Sequence, residues 1–184
     1  GMIAALVRLE LLPFKGLNTP AVFLHDVLTD LALGLGMRDV FSFYVDEMKR
    51  TQGAEGAFAT KNLPLLLQRF SEWGIPPPVV LTHFNRVGFQ MNPSRLACEN
   101  AAKQYPVEIM AMGTLASGHI PPDEAFDYLS GVSNIKSVVV GASTPQQINE
   151  TFSAIKRNMV SLHSEKIGSS RDQATWSEHG AAEQ

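Results

Sequence analysis

One cysteine, no long apolar run and no marked excess of either charge sign remove several classes of protein before any motif is read in this 184-residue chain. Cys98 has no partner for an intramolecular disulfide, so a disulfide-stapled secreted scaffold is excluded and a reducing, cytoplasmic setting is expected. No apolar stretch approaches the roughly 20 residues of a membrane span. Met2 to Val7 is too short for a signal-peptide core, and Arg8 follows it where a signal would place its charge in front. A net charge of -3 with no basic cluster gives no general attraction for nucleic acid or anionic lipid, so neither is an expected partner. Gly1 before Met2 resembles the scar of a cleaved tag and is set aside.

What is present is an alternation of short β-branched runs with capped helical stretches. Strands are expected at Val22 to His25, Ala57 to Thr60, Val79 to Thr82, Glu108 to Met112 and Ser137 to Val140. Each is nearly all apolar, as in parallel strands covered on both faces. Val40, Tyr44 and Met48 share a helical face with Phe41 and Val45, and Gly53 stands at the C-terminal cap. Asn62 and Pro64 open the next helix and Gly74 ends it. Asn92-Pro93 opens another, and Pro122 with Asp123 and Glu124 a fourth that closes near Gly131. Thr144 to Gln147 has the spacing of a capping box and opens the last. Ile3 to Leu12 reads as a leading helix, and residues 164–184 as a disordered polar tail after a domain spanning 2–163.

Strands alternating with helices at this spacing mean parallel pairing through right-handed crossovers, hence an α/β class. In a (β/α)8 barrel each unit takes about 31 residues, so five units need about 155. The stretch from 21 to 163 is close to that length, which favours a partial barrel; a five-stranded doubly wound sheet is the competing architecture.

Two small-residue loops follow the last two strands: Gly113-Thr114-Leu115-Ala116-Ser117-Gly118 and Gly141-Ala142-Ser143-Thr144. Taken alone, each reads as a tight strand-to-helix turn. Together, on the rim where barrels hold phosphates and at a helix N-terminus with free N–H groups, they point to a phosphate-bearing ligand. His25, His83 and His119 fall at strand ends on the same rim, with Asp26 beside the first, a set that would hold zinc for a metal-dependent hydrolase; no pair has a tight ligand spacing. Cys98, Met110 and Met112 are read as core residues.

From Val22 to Lys156 the chain resembles the C-terminal portion of an aldo-keto reductase. Leu24-His25-Asp26 is similar to the end of that family's fourth strand, where its catalytic histidine stands. Lys61-Asn62 falls at the family's serine-asparagine pair for the carboxamide, and Phe84-Asn85 at its aromatic-asparagine pair after the sixth strand. Gly113 to Gly118 resembles the pyrophosphate loop, and Val138 to Gln147, the most specific stretch, resembles the signature around the adenosine phosphate. The resemblance implies carbonyl reduction with NADP or NAD. It implies His25 as a catalytic residue and Asn62, Gly113, Thr114, Leu115, Gly118, Gly141, Ser143, Thr144 and Gln147 as cofactor contacts.

Against that pattern the first strand here corresponds to the family's fourth. The aspartate, tyrosine and lysine that complete its catalytic tetrad have no counterparts, Lys61 replaces the serine, Leu81 a glutamine and Thr151 an asparagine. No arginine or lysine lies between Gly141 and Glu150 to pair a 2′-phosphate. The expectation is therefore an aldo-keto-reductase-like oxidoreductase truncated before strand four and unable to act alone. The alternative from another class is a non-catalytic binding or assembly module. An open five-stranded shell would leave about ten inward apolar side chains wet, a loss exceeding the stability of an ordinary domain. A second copy, a partner chain carrying the missing strands, or the leading helix is expected to cover it, and the substrate, if the enzyme is active, is a small carbonyl compound.

Overall fold

In a computed structural model, residue 9 and residues 11–14, 16–76 and 79–160 are described. After a 3-10 turn at Leu12–Phe14, five strands alternate with six helices. These are β1 (Ala21–Leu24), α1 (Asp26–Gly34), α2 (Arg38–Gln52), β2 (Glu55–Thr60), α3 (Leu63–Trp73), β3 (Val79–His83), α4 (Arg95–Gln104), β4 (Glu108–Met112), α5 (Pro122–Ser130), β5 (Ile135–Val138) and α6 (Pro145–Ile155). A π-helical turn, Lys156–Val160, closes the described chain. The helix expected over Ile3–Leu12 lies mostly outside the described residues, and the expected disordered tail wholly so. Among the described residues no helix is long and apolar enough to cross a membrane.

The strands form one parallel sheet in the order β1-β2-β3-β4-β5. That order has no point at which the winding reverses, the feature that defines the doubly wound alternative. Helices and sheet meet on one face. Phe58 of β2 packs on Phe41 and Tyr44 of α2 and on Phe70 of α3, with ring centroids 5.4, 5.6 and 5.1 Å away. The core cluster draws residues from every helix, and from the strands takes Phe58, Val80, Ile109, Ala111 and Ile135. Gly56 lets α2 sit directly on β2, since a Cβ there would stand 2.8 Å from Val45 Cα.

Side chains alternate along a strand, and the register carries that alternation across the sheet. The other face therefore presents Phe23, Leu81, Met110 and Met112, all only partly buried, with Ala57 and Ala59 low between them. None of these belongs to the helix-side core. The two methionines expected in the core are thus on the face that carries no helix among the described residues, and Ala111 between them fills the core instead, at 0% exposure.

Several boundaries move for identifiable reasons. β5 was expected at Ser137 to Val140 but begins at Ile135, which is buried opposite Ile109, and the register shifts between Ile109 and Met110. Val139 still donates to Ala111 O at 2.8 Å, one bond beyond the strand. α4 starts at Arg95 rather than at Asn92-Pro93, because Ser94 Oγ accepts from Ala97 N at 3.2 Å. α1 was not anticipated. It buries Thr29, Ala32 and Leu33 but exposes Val27, Leu28 and Leu31, so its apolar residues do not mark one stripe.

Candidate functional site

The two loops expected to hold phosphate come together. Gly113, Thr114, Leu115 and Gly118 after β4 face Gly141, Ser143 and Gln147 after β5 across a cleft of about 650 Å³. The loop after β4 is bent by left-handed backbone at Gly113 (φ 60°), Ala116 (φ 46°) and Ser117 (φ 59°). For alanine and serine that conformation costs roughly 1–3 kcal/mol each, a burden found where a loop is shaped for a ligand. Opposite, Thr144 caps α6, its Oγ1 accepting from Gln147 N at 3.2 Å. Gln147 Oε1 returns to Ser143 N at 2.9 Å, one residue ahead of the reciprocal bond of an ordinary capping box. Thr144 thus supports the wall, and Gln147 is part of it.

Two threonines with little exposed surface stand at this cleft. Thr114 is 2% exposed and Thr151 3% exposed, and both line it. Thr151 was not among the expected site residues. The signal was its place on α6 one turn after Gln147, on the same face. Glu150 also lines the cleft, one carboxylate oxygen accepting from Gln146 Nε2 at 2.8 Å.

The other expected residues lie on the rim over β1 to β3, outside the cleft lining. His25 follows β1 and stands at the N-cap of α1 with its ring largely exposed; its Nδ1 faces Asp26 Oδ1 at 2.8 Å and takes Val27 N at 3.3 Å. Lys61 Nζ is 3.5 Å from Asp26 Oδ2, so a carboxylate sits between imidazole and ammonium. Asp30 clasps the end of β2, accepting from Thr60 Oγ1 and, at 3.0 Å, from Lys61 N. Asn62 turns away from the rim: its Oδ1 accepts from Leu65 N at 3.2 Å and caps α3.

His83 links rim and cleft. In register it is level with Met112 on one side and stands one residue beyond the Thr60–Thr82 pair on the other. Its Nδ1 is buried with no hydrogen-bond partner among the described residues, and a Cβ on Gly113 would meet that atom at 2.3 Å. Burial, helped by the Lys61 charge and opposed by Asp26, holds its pKa below the ordinary histidine value, favouring the neutral ring. Phe84 and Asn85 are fully buried and structural. Asn85 Nδ2 donates to Phe89 O at 2.9 Å and Gly113 O at 3.3 Å, tying the loop after β3 to the cleft.

The three-histidine zinc site does not form. His119 lies in the cleft beyond the 3-10 turn Ala116–Gly118, while His25 follows the far edge strand β1. Among the described residues no group of three or more His, Cys, Asp or Glu side chains is placed to hold a metal ion. The tyrosines offer no proton donor either. Tyr44 and Tyr128 are committed to Val22 O at 3.0 Å and Glu99 Oε1 at 2.6 Å, and none of the three tyrosines lines the cleft. A scan of protein-family models and a search of curated proteins both return no match to this chain.

Proposed function

We propose that the chain forms five units of an aldo-keto-reductase-like (β/α)8 barrel and binds a nicotinamide dinucleotide by its phosphates in the cleft between the β4 and β5 loops. The observation that carries this reading is the meeting of two small-residue loops, after β4 and after β5, in one cleft that Thr114 and Thr151 also line. Phosphate and ribose oxygens are acceptors that threonine hydroxyls and backbone N–H groups on such a wall can serve. Open space at Gly118 and Gly141, where a Cβ would meet nothing within 4 Å, lets a ligand approach the backbone closely. The unreversed parallel strand order and the helices on a single face support the barrel.

When bound, the nicotinamide supplies a hydride to a carbonyl carbon. His25, its ring edge held by Asp26, orients and polarises the carbonyl oxygen of a small substrate. The proton donor comes from further βα units that cover the helix-free face, whether on a partner chain or a longer form of this one. Without them the protein binds nucleotide but does not turn it over.

Calorimetric titration of the full chain with NADH tests this. Saturable one-to-one binding is expected, weakened about 3–10-fold in Thr151→Val, which deletes one hydrogen bond at almost constant volume. Absence of saturable binding by NADH and NADPH alike overturns the reading and leaves a non-catalytic assembly module.

A further inference from the structure

Behind the cleft wall lies a buried polar atom without a partner, and it belongs to a side chain that can change charge. His83 Nδ1 has no hydrogen-bond partner among the described residues, and it abuts Gly113 so closely that a Cβ there would collide with it. The carbonyls beside the ring are engaged elsewhere. Gly113 O accepts from Ala116 N at 3.0 Å and from Asn85 Nδ2 at 3.3 Å, and Met112 O accepts from Phe84 N at 3.1 Å. A buried N–H without an acceptor is costlier than a bare lone pair, so the neutral ring carries its proton on Nε2.

Both nitrogens of a protonated imidazole donate, so uptake of a proton would set an N–H on Nδ1, facing Gly113. That N–H needs water, which reaches it only when the ring and the β4 loop part. The loop has reason to move, because Ala116 and Ser117 hold left-handed backbone whose strain a released loop relaxes. The charges acting on the ring come from its other side: Lys61 beyond β2 opposes protonation, Asp26 at the start of α1 favours it, and burial, the largest influence, opposes it. Asp26 is shared between His25 Nδ1 and Lys61 Nζ, at 2.8 and 3.5 Å. From the loop after β3, Phe89 meets the ring edge to face at 6.5 Å, while Arg86 is turned to Glu124 at 2.9 Å. β4 and its loop bring Met112 and Gly113, neither of them charged. The ring is therefore neutral at pH 7 and takes up its proton below the ordinary histidine value of about 6.5.

We infer that His83 is a pH-operated prop under the cleft wall: neutral, it seats the β4 loop through Gly113; protonated, it lifts residues 113–118 and opens the cleft. The prop acts whatever the cleft holds.

Two measurements on the full chain test this. Long-range nitrogen–proton NMR of histidine-labelled protein at about pH 7.5 is expected to show the His83 ring as the Nε2–H tautomer. An Nδ1–H tautomer overturns the inference, because the proton would already face Gly113. Amide hydrogen exchange, corrected for its intrinsic dependence on pH, is expected to speed up at least about fivefold over residues 113–118 between about pH 7.5 and about pH 5, with β2 and β3 unchanged. His83→Asn, which cannot take up a proton in this range, is expected to abolish that change, whereas His25→Gln and His119→Gln keep it. No change in the unaltered chain, or an equal change in His83→Asn, overturns the inference. Loss of the change in His25→Gln or His119→Gln with His83 intact moves the switch to another ring and overturns it as well.

Discussion

At the scale of single residues, the packing of Gly113 against His83 makes the sharpest forecast. Gly113 has φ 60°, and a Cβ there would lie 2.3 Å from His83 Nδ1, so Gly113→Ala combines backbone strain with a clash. A loss of about 2–3 kcal/mol in urea unfolding is expected, together with weaker nucleotide binding as His83 and the β4 loop are pushed apart. A change below 0.5 kcal/mol, in order of magnitude the surface value, would show that the ring moves freely aside. Cys98, read from the sequence as a small core residue, is 1% exposed and donates to Asn92 O at 3.4 Å; burial pushes its thiol up to about 11. Thr114 was legible because it sat within a loop whose composition attracted notice. Thr151 was noticed only as a departure, standing where the resemblance has an asparagine, and its place in the cleft is known from the structure alone.

At the scale of elements, caps were the clearest writing in the sequence. Asn62, Thr144, Gly53 and Gly74 all stand at the helix ends expected of them, because a cap needs only neighbours along the chain. Thr144→Ala is expected to cost about 1 kcal/mol in urea unfolding, and by releasing Gln147 it should also weaken nucleotide binding. Unchanged binding with lowered stability would confine Thr144 to its helix. α1 escaped notice because its N-cap is histidine, an unusual cap, and because Val27, Leu28 and Leu31 do not fall on the face that packs. Met110 and Met112 were misplaced for a related reason. An all-apolar strand reads as buried on both sides, and only the tertiary structure tells that helices cover one side.

At the scale of the molecule, the helix-free face runs from carboxylates to bases. Glu55 and Glu108 lie at the N-terminal end of its strands and His25, Lys61 and His83 at or beyond the other, with apolar side chains between. Burial, and then the Glu108 charge, raises the Glu55 carboxyl above the ordinary glutamate value. A group whose folded pKa is raised contributes stability while protonated and loses it as pH climbs from the unfolded value, about 4.3, through the folded one. Glu55→Gln should therefore raise the melting temperature at pH 7 and have little effect near pH 4, with a gain held below about 1 kcal/mol by solvent screening. Equal effects at both pH values, followed by scanning calorimetry, would mean that the carboxyl is not strained by its neighbour.

The unbroken strand order has a further consequence, for how the protein is made. Each strand pairs with the one that precedes it, and none waits for a distant segment to slip between two already joined. A nascent chain leaving the ribosome can zip its sheet one crossover at a time, in the direction of translation. Ribosome-stalled lengths ending after successive helices should then gain protease resistance in steps, not in a single jump at release.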